Sequence, residues 1–133
     1  KDVGAALGLP AANQAKNETV FDAGLQSLEI AASAGVEMGF GTDLIGETQS
    51  RQNREFAIRA EAQSAREILR AMYIVNPRLL RLDGEVGTLA PGACGDVVVS
   101  RINPLEDIAA LATPEETLTH VVQGGEIMWM TDR

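Results

Sequence analysis

From about Glu18 to Ser33 the apolar residues Phe21, Leu25, Leu28 and Ala32 recur every three or four positions, which puts them on one face of an amphipathic helix. Asn17 is the expected cap, because its side-chain oxygen can accept from a first-turn amide. Gly35 is the expected stop, since the conformation that closes a helix suits glycine. Val36, Met38 and Phe40 follow, and with Gly39 and Gly41 they predict a short, closely surrounded strand. Glycine there lets neighbouring backbone or a ligand come close. Before the helix, residues 1–18 are weakly patterned, and Gly8-Leu9-Pro10 marks a turn or a helix stop.

A second helical region is predicted from about Ser50 to Ala62, with Phe56, Ile58 and Ala60 among its apolar positions. Ser64-Ala65-Arg66-Glu67 spells a capping box, so a new helix starts there and carries Ile68, Leu69 and Met72 inward. Asn76-Pro77 opens a further short piece through Leu79 and Leu80. The character changes near Asp83, where Gly84, Gly87, Pro91, Gly92 and Gly95 punctuate a turn-rich stretch before the strand Asp96–Val99. Asn103-Pro104-Leu105-Glu106-Asp107 predicts a single capped helical turn, and Thr113-Pro114-Glu115-Glu116 repeats the signature. Thr119 to Gln123 and Glu126 to Met130 are strands across Gly124-Gly125, a two-residue turn that needs positive φ at both positions. The first part of the chain is thus helix–strand–helix, and the second is a small β-rich unit.

Composition changes this picture only at the margins. Apolar residues are 45% and charged residues 23%, so a folded core is expected, built mostly from Ala, Leu and Val because aromatics are 4%. A formal net charge of -8 excludes a phosphate-tracking surface, and nucleic acid is not an expected partner. The arginines between Arg51 and Arg81 are interleaved with Glu55, Glu61 and Glu67, which predicts a solvated, ion-paired helix face. Cys94 is the single cysteine, which fits a reducing, cytoplasmic setting. No apolar run approaches the length of a membrane span, no signal-peptide pattern opens the chain, and a processed or truncated chain would begin without methionine as this one does.

The candidate chemistry centres on Gly39-Phe40-Gly41-Thr42-Asp43, an apolar strand end running into a lone carboxylate. A carboxylate at the carboxyl end of a buried strand stands on the face where α/β folds place their sites. There Asp43 could accept a proton from a metal-bound water or touch the metal itself. A second reading stands beside it: Asp43 caps the turn through Gly46. His120, the only histidine, reads as a surface or packing residue of the β unit, although a stand-alone metal site with Asp43 is a further alternative. Cys94 reads as a small buried hydrophobe, having no histidine near in sequence to activate it. Gly84-Glu85-Val86-Gly87 is too short and misplaced to cradle phosphate.

Taken together, Ala34-Gly35-Val36, Gly41-Thr42-Asp43, Arg59-Ala60-Glu61 and Ile68-Leu69-Arg70-Ala71 resemble the end of the metal-dependent amidohydrolase superfamily. Gly87-Thr88-Leu89-Ala90-Pro91-Gly92-Ala93, Gly95-Asp96-Val97-Val98-Val99, Asn103-Pro104-Leu105-Glu106-Asp107-Ile108 and His120-Val121-Val122-Gln123-Gly124-Gly125 extend the likeness. It is most similar to the branch of imidazolonepropionase-like hydrolases and prolidase-type dipeptidases. Met72-Tyr73-Ile74-Val75-Asn76-Pro77 departs from the family's usual threonine and small residues at this place.

The resemblance implies an α/β fold: the carboxyl-terminal fragment of a (β/α)8 barrel plus part of a small β-sandwich. Residues 1–82 would hold strand eight, at about 36–42, and the following helices, at about 50–82. Residues 83–133 would be the sandwich portion, with its hairpin at 124–125 and His120 on a strand away from any metal. Asp43 would be the proton acceptor and shuttle beside one or two divalent ions, zinc by preference, with Gly41 and Thr42 forming the supporting loop. The family's metal-binding histidines and carboxylated lysine lie on earlier strands and are absent here.

A complete barrel takes about 250 residues, so a chain of 133 implies a missing amino-terminal portion or a further copy, as in a homo-oligomer, at its open edges. The implied substrate is a small amide, cyclic amide or dipeptide, with no role for a membrane. The competing reading is a non-catalytic assembly or interaction fragment that keeps the fold pieces.

Overall fold

The computed structural model describes Gly8 and residues 10–131, and the weakly patterned residues 1–7 and Leu9 lie outside it. The chain divides into two compact units, Lys1–Val36 and Glu37–Arg133. In the first, helix α1 spans Ala11–Ser33 and follows Pro10, whose φ of -54° and ψ of 148° lead the chain in. It starts well before Glu18, so Asn17 lies inside the helix and is not its cap. The run Ala11 to Lys16 has no apolar period, yet its Ala, Gln and Lys are good helix formers and carry the helix back to the proline. The other end closes as expected. Gly35 takes φ +72°, its N–H donates to the Ala32 carbonyl, and Val36 donates to Ala31, which satisfies two carbonyls of the last turn. Phe21, Leu25, Leu28 and Ala32, the predicted face, are half-buried, whereas Val20 and Ile30 stay exposed.

The second unit begins with residues 37–45, which form neither helix nor strand. The strand expected over residues 36–42 is therefore not made, because a strand needs a neighbour and every strand among the described residues lies beyond residue 96. A 3-10 turn, Gly46–Arg51, leads into α2, Arg54–Ala60. Helix α3, Ala65–Arg70, opens on the predicted capping box: Ser64 Oγ accepts from the Glu67 amide, and the Glu67 carboxylate accepts from the Ser64 amide at 2.8 Å. The helix does not stop at Arg70. It widens through a π-turn, Ala71–Val75, and continues as α4, Asn76–Leu80. Pro77 accounts for the widening, since it has no N–H to donate and its ring crowds the carbonyl one turn back.

Ile68 is completely buried and centres a core with Phe56 and Ile108, around which Phe40, Leu69, Met72 and Leu111 pack. Burying Ile68 alone contributes about 1.5–3 kcal/mol. Tyr73, Leu79 and Leu80, in the same helical stretch, remain exposed.

Strands β1, Val97–Ser100, β2, Leu118–Gln123, and β3, Glu126–Met130, form an antiparallel sheet in that order. The register sets Val98 opposite Val121, and Val121 opposite Trp129. Gly124 and Gly125 take φ of +59° and +86°, the predicted turn. Between β1 and β2 lie a 3-10 turn, Ala109–Ala112, and the short helix α5, Pro114–Thr117. Asn103-Pro104 does not start a helix. The Asn103 side chain accepts from the Leu105 amide and closes a local turn instead. The result is a mixed α/β fold, several helices beside a small antiparallel sheet, consistent with part of a barrel-type hydrolase.

Candidate functional site

The segment leading to Asp43 is held at Phe40 by side chains, not by a sheet. Asn76 Oδ1 accepts from the Phe40 amide at 2.9 Å, and Asn76 Nδ2 donates to the Phe40 carbonyl at 2.8 Å. One side-chain amide thus satisfies both backbone groups that a neighbouring strand would otherwise take. The Phe40 ring lies 4.9 Å from that of Phe56, centroid to centroid, at an interplanar angle of 35°. The Arg59 guanidinium stands 5.5 Å from the Phe40 ring centre. Arg59 is buried, contrary to the solvated face read from the charge pattern. Its Nε donates to Glu55 Oε1 at 2.8 Å and Nη1 to Gln63 Oε1 at 3.1 Å, so the buried cation is paired and hydrogen-bonded. Glu37, at the start of the segment, pairs with Arg70 and Arg78.

Beyond Phe40 the chain emerges into solvent. Gly41 is exposed, Thr42 is half-buried, and the Thr42 hydroxyl accepts from the Leu44 amide at 3.3 Å. Asp43 is exposed and takes φ +54°, a left-handed conformation that aspartate tolerates better than most residues. Its carboxylate makes no hydrogen bond or ion pair among the described residues. The alternative that Asp43 caps the following turn finds no support, for no side chain caps the 3-10 turn at Gly46.

The other candidates lie elsewhere. His120 is half-buried on β2 between Val99 and Met130, with Nδ1 3.0 Å from Thr119 Oγ1. No hydrogen bond joins it to Asp43. Cys94 is exposed, which corrects the reading of a buried hydrophobe, and its amide donates to the Glu85 carbonyl at 2.7 Å. An open cavity of about 670 Å³ lies against the sheet, walled by Tyr73, Val86, Leu89, Val98, Val122 and Met128. Its walls are mainly apolar and do not include Asp43, so this recess is separate from the candidate carboxylate.

Among the described residues no group of three or more His, Cys, Asp and Glu side chains could hold a metal ion. A catalytic zinc normally takes three protein ligands, and Asp43 alone does not make such a centre. Nothing in the sequence pattern singles out the Asn76 clamp or the buried Arg59. The one available signal for Asn76 is its place before Pro77, which also reads as an ordinary helix start.

The sequence matches the amidohydrolase family over residues 3–128. An ochratoxinase of Aspergillus niger is 29% identical over 121 residues, 90% of this chain and 25% of that protein. A prolidase solved in complex with N-methylphosphonate-L-proline is 41% identical, with a TM-score of 0.85, over 98% of this chain and 32% of that one. A solved amidohydrolase is 39% identical, with a TM-score of 0.87, over 99% of this chain and 32% of that one. The chain therefore spans a quarter to a third of the relatives it matches. With a family match that takes in both the helical stretch and the sheet, the chain belongs to the amidohydrolase family.

Proposed function

We propose that these residues are the carboxyl-terminal part of a hydrolase that cleaves an amide, cyclic amide or dipeptide C–N bond, with Asp43 as its proton carrier. The observation that carries this reading is the state of Asp43: a solvent-facing carboxylate without a partner among the described residues, three residues beyond a backbone clamped at Phe40. In such a reaction water adds to the amide carbonyl and must lose a proton, and the departing nitrogen must gain one. A positioned carboxylate performs both transfers in turn. Asp43 has the free oxygens to do so, and it has no competing structural duty.

In this reading residues 36–42 supply the last barrel strand, the helices to residue 82 cover it, and residues 83–133 contribute to a flanking sandwich. A divalent ion, with zinc our choice and one or two per complete enzyme, would be held by residues outside this chain. The related prolidase complex supports a substrate class. A phosphonate on the proline nitrogen has the tetrahedral shape that water creates on adding to an acyl-proline carbonyl, so an Xaa-L-proline dipeptide is the first substrate to try.

The test uses the complete protein and a series of Xaa-L-proline dipeptides and N-acyl amino acids. Asp43→Asn should abolish turnover while the circular dichroism spectrum and melting temperature stay unchanged. Undiminished hydrolysis by that variant would remove Asp43 from the chemistry. The alternative reading, an assembly fragment, draws on the exposed Leu79, Leu80, Leu89 and Met128, and it predicts full tolerance of Asp43→Asn.

A further inference from the structure

We infer that Asn76 is a positioning residue for Asp43, acting through the backbone of Phe40. The inference rests on the proton-carrier reading above and adds a residue with no chemistry of its own. Four observations converge on it.

The first is the completeness of the grip. Asn76 takes the N–H and the C=O of a single residue, at 2.9 and 2.8 Å, so Phe40 can neither rotate about its flanking bonds nor slide in register without breaking both contacts. The next three residues, which lead to Asp43, leave from this anchor.

The second is the fit of Gly39. A Cβ on that residue would lie 2.8 Å from Asn76 Oδ1, closer than real side chains come, and 3.0 Å from Leu79 Cδ1, a tight contact. The glycine backbone and the amide are packed closely against each other. Third, the Phe40 ring is fixed from the other side by Phe56 and by the buried Arg59, itself tied to Glu55 and Gln63. Backbone and ring are held by separate elements, so Phe40 is gripped from two sides.

The fourth is the placement of Asn76. It follows immediately on the π-turn Ala71–Val75 and precedes the buried Pro77, and its own N–H donates to the Ala71 carbonyl in the widened pattern. A helix widened by one residue presents its next side chain about a quarter-turn away from where an unbroken helix would place it. The irregularity is costly for a helix, and here it delivers the amide to Phe40.

From Phe40 to Asp43 the chain can reach at most about 10 Å. The clamp at Phe40 is thus the tertiary anchor three residues before the carboxylate, and proton transfer is sensitive to displacements of about 1 Å.

The experiment measures kcat and KM of the complete protein on an Xaa-L-proline dipeptide for Asn76→Ala, Asn76→Asp, Asp43→Asn and the Asp43→Asn/Asn76→Ala double variant. Ile108→Val, in the core against which Phe40 packs but without a hydrogen bond to Asn76 or Phe40, serves as a control for lost stability. Asn76→Ala is expected to lower kcat by roughly 10- to 100-fold with KM within about twofold. Asn76→Asp, which keeps the acceptor for the Phe40 amide but turns an oxygen toward its carbonyl, should fall in the same direction. The double variant should be no slower than Asp43→Asn alone, and the control should keep its kcat.

Full kcat in Asn76→Ala, with Asp43→Asn inactive, overturns this inference and leaves the proton-carrier reading standing. An equal loss in the Ile108→Val control also overturns it, because the effect would then be general loosening. Full activity in Asp43→Asn overturns the reading beneath it and the inference with it. Should Asn76→Ala fail to fold, Asn76→Asp decides: a loss in kcat at constant KM supports the clamp, and an unchanged kcat refutes it.

Discussion

Gly39 lies so close to Asn76 that a methyl group on its Cα would stand 2.8 Å from the amide oxygen. That oxygen is not free to move, because it accepts from the Phe40 amide while its partner nitrogen donates to the Phe40 carbonyl. Gly39→Ala must therefore break the clamp or push the segment off the helix. We expect a loss of about 1–3 kcal/mol, as for other insertions into a filled space. Gly41→Ala is the comparison: nothing stands within 4 Å of its Cβ position and its φ is not positive. It should be neutral or slightly stabilising, by up to about 1 kcal/mol, through the unfolded chain. Urea denaturation of the two variants checks the contrast, and equal midpoints would show that the close approach carries no energy.

These two glycines mark what a sequence can and cannot reveal. Both belong to the apolar, glycine-flanked pattern that predicts a strand, yet the difference between them comes from a helix more than thirty residues later. The features legible in advance are local ones: the stop at Gly35, the capping box at Ser64 and the turn at Gly124-Gly125 each involve a few consecutive residues. The early start of α1 escaped because propensity, and not apolar periodicity, carries its first turns. The burial of Arg59 depends on Phe40 arriving over it, which its alternating charged neighbours cannot show. The strand over 36–42 illustrates the remaining limit, since pairing is a property of two segments and no partner for it lies among the described residues.

Ser64 and Glu67 give a prediction with a pH dependence. The Glu67 carboxylate accepts from the Ser64 hydroxyl at 2.6 Å and from the Ser64 amide at 2.8 Å, and these bonds, the hydroxyl's first, hold its pKa below the ordinary value against a small opposing effect of burial. A carboxyl group whose pKa is lower in the folded than in the unfolded chain stabilises the fold above its unfolded value, about 4.3 for glutamate. That contribution is lost as the pH falls through the lower folded value. Ser64→Ala should cost about 1 kcal/mol at neutral pH. Its deficit should shrink as the pH falls through the unfolded and then the lower folded value, because a protonated Glu67 no longer gains from its bonds to Ser64. Chemical denaturation across that range measures the difference. A deficit that grows on acidification would have the wrong sign for this account.

The hairpin makes an independent case. Asp96 Oδ1 accepts from the Gly124 amide at 2.7 Å, and Gly125 donates to the Gly95 carbonyl at 2.9 Å, so the turn is pinned to the start of β1. A Cβ on Gly95 would meet the Gly125 nitrogen at 2.9 Å and its Cα at 3.2 Å. These are backbone atoms and cannot rotate aside. Asp96→Ala removes one bond at an exposed site and should cost about 1 kcal/mol. Gly95→Ala displaces the whole turn and should cost more than Asp96→Ala. Amide hydrogen exchange in β2 and β3 is the appropriate readout: Gly95→Ala should accelerate exchange of the ladder amides next to the turn, and unchanged protection there would argue that the turn is not held from β1.

The last prediction concerns what covers the apolar surface. Ile45 is 79% exposed, Leu79 69%, Leu80 66% and Leu89 83%. Scattered apolar residues are normal on a protein surface, but Leu79 and Leu80 are adjacent, and Ile127, Met128, Trp129 and Met130 expose one continuous strand. That strand, β3, is also an edge, so its outer backbone groups have no ladder partner within the sheet. Unpaired backbone beside exposed apolar side chains is the combination that draws strands of separate chains together. Expressed alone, the 133 residues should therefore associate, and sedimentation velocity should show species heavier than the 14.1 kDa monomer. Charged substitutions on β3, Ile127→Lys with Met128→Glu, should shift the population toward monomer without unfolding the α2–α3 core, which lies on other elements. A wild-type chain that sediments as a compact, fully folded monomer would show that these faces need no cover.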